Sequence, residues 1–299
     1  MTITRTGRLR LVRVAYDARP VIILPPPRPS AAKEVDTVPA IPANAGISAW
    51  YRDKLQCLAR RMFEDLQRQL AEVYAPAKSR LAMDDDPVVA LRKLLRLWGR
   101  KWQKRFDDVS AEVADSFAGR NARYTDAQVR QKLKDAGFIV KFRPSDRQLS
   151  AYRAVVAENV GLIKSIPQEF HKDVSGAVWR SVTKGGDLSA LSREIRGKYG
   201  LTYRRAAFIA RDQNAKAKAT LEQQRRAEIG ITEAVWQHSS AGKVPRPTHV
   251  RMDGKRFKIA DGMYDSARGV QRKVQPGELP NCRCTSRAII PARLGKGPT

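Results

Sequence analysis

The sequence predicts a mainly α-helical protein that ends in a small α+β unit. Apolar residues recur at steps of three and four along residues 47–75 and again along residues 88–117, which is the spacing of one helix face. After Gly230 these long periodic stretches end, and short β-type runs alternate with glycine and proline. The predicted order is therefore an extended N-terminal arm, a long helical hairpin, a helical middle and a turn-rich β segment.

Residues 1–45 are predicted to form an extended, proline-rich arm and not a domain. A strand-like alternation of arginine with β-branched residues precedes the run Pro25-Pro26-Pro27-Arg28-Pro29, and prolines favour an extended, polyproline-like path. A disordered leader and an arm that docks on a partner both fit this composition. Because the arm has no helical stripe, we expect it to contribute little to a core.

Residues 46–120 are predicted to form the long helical hairpin. The apolar stripe of its first helix ends before Pro76, and Asp86 and Pro87 suit the N-cap and the first position of the second helix. Gly119 can supply the left-handed residue that ends this second helix. A connection of only about ten residues predicts that the two helices lie antiparallel.

Residues 121–230 are predicted to be a helical region made of shorter helices. The pattern indicates helices over residues 126–136, 145–160, 170–182, 188–199 and 203–228, with a short strand over residues 138–142. Glycines punctuate this region and are expected to end helices at Gly137, Gly185, Gly200 and Gly230.

Residues 231–299 are predicted to form a turn-rich β and loop unit that packs on the preceding helices. It has few long apolar runs and many glycines and prolines. Such a segment needs either the neighbouring helices or a metal ion to hold it together.

The chain is strongly basic. Its 57 lysines and arginines outnumber the 30 aspartates and glutamates, for a net charge of +27, and this excess indicates a polyanionic partner, most simply nucleic acid. No apolar run reaches the ~18–20 residues that a membrane span needs. Three cysteines cannot build a disulfide framework, and residues 1–13 have no apolar signal-peptide core. We therefore expect a protein made in a reducing, intracellular compartment.

The second helix of the predicted hairpin carries a run of basic residues opposite its apolar stripe. These are the candidate DNA contacts: Arg92, Lys93, Arg96, Arg100, Lys101, Lys104 and Arg105. A helix face that binds phosphates and a simple solvated basic face both fit the pattern.

The C-terminal segment contains the clearest constellation for site chemistry. His249 and Asp253 precede the run Pro280-Asn281-Cys282-Arg283-Cys284, and two thiolates with an imidazole suit Zn²⁺. The possible metal ligands are therefore His249, Cys282 and Cys284, with Asp253 or His238 as a possible fourth. The alternatives are a metal-free cluster of packed cysteines beside a His249–Asp253 hydrogen bond, and a reactive or intermolecular thiol pair.

The residues Arg211-Asp212-Gln213 are expected on the helix just before this segment, where their side chains could hydrogen-bond the irregular loops. The sequence contains no Walker A, dinucleotide-binding, nucleophile-elbow or HExxH motif. The catalytic search is therefore negative apart from the histidine and cysteine cluster.

Four motifs together resemble the Mu F-like head morphogenesis family of minor capsid proteins from tailed bacteriophages. They are Arg-Arg-Ala-x-x-Ile-Ala-Arg at residues 204–211, Trp236, Arg-x-x-His-x-x-x-Asp-Gly at residues 246–254, and Pro-Asn-Cys-Arg-Cys at residues 280–284. The resemblance covers roughly residues 150–290. The positions that match the family's motifs are His249, Asp253, Gly254, Asn281, Cys282, Arg283 and Cys284.

The resemblance implies a virion protein present in few copies inside the head near the portal, with roles in head assembly and in DNA packaging or delivery. The implied partners are the portal protein, the major capsid protein on the inner shell, and packaged double-stranded DNA, without a membrane contact in the head. Family members commonly carry Arg-Thr-Glu where this chain has Arg211-Asp212-Gln213. That departure leaves the role of this helix position open.

The sequence therefore predicts a non-enzymatic minor head protein that is made in the host bacterial cytoplasm and contacts DNA through charge alone. Zinc is the possible cofactor. The rival prediction is a metal-dependent nuclease or toxin-like enzyme that uses His249, Asp253, Cys282 and Cys284. The small number of histidines and carboxylates in the C-terminal segment disfavours it. A generic basic DNA binder would leave the C-terminal motif unexplained.

Overall fold

The computed structural model describes residues 21–23, 37–74, 87–143, 145–183, 188–240 and 244–291. Its helices are α1 (Ala45–Tyr74), α2 (Pro87–Asp135), α3 (Asp146–Thr183), α4 (Leu188–Glu228) and α5 (Pro247–Met252). Its strands are β1 (Val21–Ile23), β2 (Thr37–Val38), β3 (Ile139–Lys141), β4 (Glu233–Gln237), β5 (Arg256–Lys258), β6 (Met263–Asp265), β7 (Arg272–Val274) and β8 (Thr285–Ile289). The described chain is mainly helical, with small antiparallel strands near its C-terminal end, as the sequence predicts.

Helices α1 and α2 pair antiparallel, so the predicted hairpin is present. Tyr51 near the start of α1 stacks on Phe117 late in α2, with ring centroids 4.2 Å apart. Further along α1, Asp65 accepts a hydrogen bond from Trp102 Nε1 at 2.7 Å. The residue number of the α2 partner falls as the residue number along α1 rises, which shows that the two helices are antiparallel.

The hairpin is half of a four-helix bundle. Trp98 on α2 meets Phe170 on α3 edge to face, with ring centroids 5.9 Å apart, and Phe63 on α1 stacks on Tyr199 of α4 at 4.2 Å. The fully buried side chains between the four helices are aromatic and aliphatic; they include Tyr51, Leu55, Met62, Leu66, Phe106, Phe117, Ile163 and Phe170. Helices joined by short connections in this up-down order bury one apolar stripe each.

Two of the helices are longer than predicted, because glycines expected to stop them lie inside them. Helix α2 continues through Gly119 to Asp135, and α4 runs through Gly200 without a break. Beyond Gly119 the buried face of α2 carries Asn121 and Thr125, both 0 % exposed. These polar residues conceal the apolar period in the sequence, while burial against the neighbouring elements keeps the helix intact. The break expected at Gly185 lies outside the described residues.

Helix α3 is a single helix where two were predicted. It spans Asp146–Thr183 and contains Pro167, which is buried in the bundle together with its neighbour Ile166. A proline inside a helix removes one backbone hydrogen bond. The surrounding bundle compensates, since Ile163, Ile166 and Phe170 on the same turns are almost completely buried.

The C-terminal unit contains a four-stranded antiparallel sheet in the order β2-β8-β4-β5, and the strands β6 and β7 pair separately. Its core lies around Trp236, which is 0 % exposed and packs edge to face on Phe257. Helix α4 joins this unit to the bundle. Near its end, Arg226 donates to the Ser286 hydroxyl at 2.8 Å and to the Ser286 carbonyl at 3.0 Å.

The last residues of the predicted arm belong to the fold. Strand β2 pairs with β8, and Val38 and Ile41 are 5 % and 2 % exposed in the core of the C-terminal unit. Asn44 then caps α1 by accepting from the Ile47 N–H at 3.1 Å. The expectation that the arm contributes little to a core is therefore wrong for residues 37–44. Earlier in the arm, Val21–Ile23 pairs with β3, and the rest of residues 1–36 lies outside the described residues.

Among the described helices, none combines the length and the apolar character that are needed to cross a membrane.

Candidate functional site

The site is organised around the turn at residues 280–284, which two helices hold in place. Asn281 adopts a left-handed backbone conformation with φ of 62°, a region that asparagine tolerates better than most residues. On α4, Asp212 Oδ1 accepts from the Asn281 N–H at 2.7 Å, and Arg211 donates to Asn281 Oδ1 at 3.1 Å. Arg246, just before α5, donates to the Pro280 carbonyl at 2.8 Å.

Residues 211–213 of α4 have hydrogen-bond partners both in this turn and in the helical bundle. Arg211 and Asp212 bind the turn, as the sequence suggested for this helix position. Gln213 points elsewhere and donates to Glu158 on α3 at 2.9 Å. The pair on α4 thus positions the two cysteines that follow Asn281.

His249, Cys282 and Cys284 come together in space. His249 Nδ1 lies 3.5 Å from Cys282 Sγ and 3.5 Å from Cys284 Sγ, and the three potential ligand atoms all lie within 4.8 Å of one another. His249 is 2 % exposed, and the two cysteines are 4 % and 6 % exposed. Helix α5 supplies the imidazole, and the turn supplies both sulfurs.

The other ring nitrogen of His249 faces a carboxylate that sequence reasoning missed. His249 Nε2 lies 3.1 Å from Asp265 Oδ2, and Asp265 is completely buried at the end of β6. Burial by itself raises the pKa of Asp265, but the Ala267 N–H, which donates at 2.9 Å, and His249 outweigh it and lower that pKa. No local pattern in the sequence distinguishes Asp265 from the other acidic residues of the C-terminal segment.

Asp253 does not bind His249, so the predicted hydrogen bond between them is wrong. Asp253 is exposed, and its Oδ1 accepts from the His238 N–H at 2.8 Å. Gly254 follows in a left-handed conformation with φ of 72° and donates to the Trp236 carbonyl at 3.0 Å. Asp253 and Gly254 therefore fix the turn between α5 and β5, and neither Asp253 nor His238 joins the group of potential ligands among the described residues.

The two buried thiols affect each other. The adjacent Cys284 thiol lowers the pKa of Cys282, and His249 and the Gly277 N–H, 3.4 Å from Cys282 Sγ, act in the same direction against burial. The pKa of Cys284 is raised, because Cys282 and burial both oppose a second negative charge. One thiolate and one thiol is therefore the favoured charge state of the metal-free pair. Arg283 between them is exposed.

The seven candidate DNA contacts on α2 are all exposed, but they do not share one environment. Lys101 forms an ion pair with Asp65 of α1 at 3.0 Å, and Lys104 pairs with Asp108 at 2.9 Å. Arg105 lies over the ring of Trp102 in its own helix.

The remaining four lie toward the α3 side or the outside of the bundle. Arg92 stacks over Trp179 of α3 at 4.4 Å, and Arg96 and Arg100 line the same groove of about 520 Å³ between the two helices. Within the described part of the chain, no ion pair includes Lys93, Arg96 or Arg100. Of the seven candidate contacts, these three have neither an acidic partner nor an aromatic ring contact among the described residues.

Comparisons with known proteins agree with the C-terminal motifs. The family described as phage Mu protein F like protein matches residues 172–287, which include the whole of α4 and the whole histidine and cysteine cluster. An uncharacterized protein of Haemophilus influenzae is 29 % identical over 248 residues, covering 81 % of this chain and 53 % of its own length. The chain thus spans about half the length of that relative. No solved structure gives a significant match.

The family match falls on the residues that build the cluster: the α4 pair Arg211 and Asp212, the turn that begins α5, and the Pro-Asn-Cys-Arg-Cys turn. Over these residues the chain is similar to the phage Mu protein F like proteins.

Proposed function

We propose that this protein is a minor capsid protein of a tailed bacteriophage. It acts inside the head near the portal, assists head assembly and DNA packaging or delivery, and contacts DNA without sequence specificity. The observation that carries the proposal is the Mu F-like region over residues 172–287 in a chain of net charge +27. Its location is the virion interior after synthesis in the host bacterial cytoplasm.

Charge supplies the DNA contact. Lys93, Arg96 and Arg100 project from one long rigid helix, without an acidic partner among the described residues. Cations on a helix can neutralise backbone phosphates and release counterions, which gives affinity without reading bases. Because α2 contains no base-reading motif and lies along the side of a bundle, backbone contacts are the mode that this surface favours.

A structural role fits the histidine and cysteine cluster better than nuclease chemistry does. A phosphodiester must reach the reacting groups of a nuclease, whereas His249, Cys282 and Cys284 are each at most 6 % exposed. Asp253, the carboxylate that the enzymatic alternative requires, is bound to the His238 backbone instead. We therefore infer that the cluster stabilises the fold and that the protein has no catalytic activity of its own.

The portal protein and the inner face of the major capsid protein are the proposed protein partners. Cross-linking mass spectrometry on purified particles tests this part of the proposal directly. Cross-links from lysines of this chain to portal or shell peptides are expected. If the chain is cross-linked only to tail proteins or to proteins on the outside of the particle, its proposed position inside the head is wrong.

DNA binding is tested by titrating two unrelated duplexes at several salt concentrations. We expect equal affinities for the two sequences and a logarithmic affinity that falls with the logarithm of salt, by about 0.9 for each phosphate contacted. The triple substitution of Lys93, Arg96 and Arg100 by glutamine should reduce the slope by about one for each phosphate that the variant no longer neutralises.

The matched control removes three exposed cations outside α2 that already have acidic partners: Arg52, Arg256 and Arg272. It changes the net charge by the same amount as the α2 triple variant. If both triple variants weaken DNA binding equally, the affinity depends on the net charge of the protein and not on the α2 surface. Our assignment of Lys93, Arg96 and Arg100 as DNA contacts would then be wrong. A strong preference for one duplex would contradict the non-specific mode itself.

A further inference from the structure

We propose that His249, Cys282 and Cys284 bind a structural Zn²⁺ ion, with Asp265 orienting the imidazole. This site is independent of the proposed role in the phage head, because it rests only on the geometry of the C-terminal unit. The ligands are His249 Nδ1 and the two cysteine sulfurs. They connect α5 to the turn at residues 280–284.

The two distances from the imidazole nitrogen to the sulfurs match those around a tetrahedral zinc ion. Zinc bonds of about 2.3 Å to sulfur and about 2.0–2.1 Å to nitrogen, meeting at a tetrahedral angle, separate the two ligand atoms by about 3.5 Å. His249 Nδ1 lies 3.5 Å from each sulfur. One ion placed between the three atoms can therefore reach all of them without a rearrangement of the backbone.

Asp265 fixes the imidazole in the tautomer that a metal requires. Asp265 Oδ2 lies 3.1 Å from His249 Nε2, where it can accept a hydrogen bond from a proton on that nitrogen. The lone pair of Nδ1 then points toward the sulfurs. Metal-bound histidines characteristically donate their second ring N–H to a carboxylate in this way.

In a metal-free cluster, both sulfurs lie at the same distance from one imidazole nitrogen, which can form a well-directed hydrogen bond to only one of them. A cation between them neutralises two thiolates in a site from which water is largely excluded. Two sulfurs and one nitrogen are a donor set that favours zinc over the hard ions calcium and magnesium.

The ion would hold the turn-rich unit together. Ordering loop residues costs about 1–2 kcal/mol of backbone entropy each, and the cluster joins segments that are 33 and 35 residues apart in the chain. Asp265 extends the connection to β6. Among the described residues, no other histidine, cysteine or carboxylate joins these three.

Elemental analysis of the full-length protein tests the site directly. Protein expressed in zinc-supplemented medium and purified without chelator should hold about one zinc per chain, because buried thiolate sites bind zinc tightly. Cys282→Ser and Cys284→Ser should each lose it. Cys57→Ser is the matched control, since Cys57 is an exposed cysteine on α1, and it should retain the full zinc content.

Cobalt substitution gives a readout that does not depend on a variant's folding. Unfolding the wild-type chain with a chelator and refolding it with Co²⁺ should produce a thiolate-to-cobalt charge-transfer band and the strong visible bands of tetrahedral cobalt. Asp265→Asn should keep these bands but bind zinc about 10–100-fold more weakly in competition with a chromogenic chelator, as expected for a residue behind a ligand.

Two results would overturn the proposal. One is wild-type protein that carries no more zinc than Cys282→Ser and gives no cobalt bands on refolding. The other is a disulfide between Cys282 and Cys284 in protein purified without oxygen, detected by mass spectrometry after alkylation, because oxidised sulfurs cannot serve as thiolate ligands.

Discussion

Asp212 on α4 accepts a hydrogen bond from the backbone N–H of Asn281, 69 residues further along the chain, at 2.7 Å. Asp212 also pairs with Lys216 at 3.0 Å, and its side chain is only 6 % exposed. Through this one carboxylate, the helical bundle fixes the position of the turn that carries Cys282 and Cys284. The bundle and the C-terminal unit are thus coupled at the candidate site.

We expect Asp212→Ala to loosen this turn and to reduce stability by about 1–3 kcal/mol, because it removes a charged hydrogen-bond acceptor from the part-buried Asn281 N–H and the nearer acidic partner of Lys216. Urea unfolding measures the loss, and hydrogen exchange should show faster exchange over residues 277–284. Asp108→Ala, which removes an exposed carboxylate paired with Lys104, is the control. Equal exchange in both variants would show that Asp212 does not hold the turn.

Gly99→Ala should destabilise the bundle, because α2 and α3 approach closely at this glycine. A Cβ atom at position 99 would lie 2.5 Å from Cδ2 of His171, whose ring also bonds the Leu95 carbonyl at 3.1 Å. Overpacking of this kind costs about 1–3 kcal/mol. Thermal unfolding measures the effect.

Gly161→Ala on α3 is the matched control for this helix position. Nothing lies within 4 Å of a Cβ added there, so alanine should stabilise the helix by up to about 1 kcal/mol. The double variant Gly99→Ala with His171→Ala should recover part of the loss. If Gly99→Ala stabilises the protein as Gly161→Ala does, the close approach is not real.

Glu222→Ala should be strongly destabilising, because Glu222 lies between two buried cations on α4. Lys218 Nζ is 3.0 Å from its carboxylate, and Arg226 contacts the other oxygen. All three side chains are 4 % exposed. Removing one partner of a buried ion pair costs about 3–5 kcal/mol, whereas an exposed pair contributes less than about 1 kcal/mol. A loss in Glu222→Ala no larger than that in Asp108→Ala, measured by urea unfolding, would contradict this account.

Asp65 should make the free energy of unfolding depend on pH in the acidic range. Burial raises its pKa, but hydrogen bonds from Trp102, Lys101 and Gln69 outweigh burial, and the pKa is lowered. The folded state then binds fewer protons than the unfolded state between the two pKa values. The stabilisation is therefore complete above the ordinary aspartate pKa of about 3.9 and is lost as pH falls through the lower, folded value.

The measurement for Asp65 is the difference in unfolding free energy between the wild type and Asp65→Asn across this pH range. The difference should be largest at neutral pH and should shrink toward zero in acid. Asp108→Asn, whose carboxylate is exposed, should show a flatter profile. A difference between wild type and Asp65→Asn that does not change with pH would mean that the carboxylate's charge has no role.

Local patterns predicted the helical character, the basic surface and the residues of the cluster. The apolar stripes of α1, and of α2 up to Gly119, could be predicted because aromatic and aliphatic side chains make up most of their buried faces. His249, Cys282 and Cys284 could be identified as candidate metal ligands because few residue types bind metals through nitrogen or sulfur, and the chain contains only three histidines and three cysteines. Residue type and spacing are properties of the chain alone, so the sequence by itself determined them.

Only the tertiary structure decided where the helices end, which carboxylate faces His249, and that residues 37–44 join the C-terminal core. Gly119 stays helical where neighbouring elements bury Phe117, Ala118 and Asn121 around it, and Asp265 reaches His249 because β6 packs beside α5. A side chain's burial and its partner depend on segments distant in the chain. Those contacts outweigh the local preferences of a glycine or a proline, and no local pattern records them.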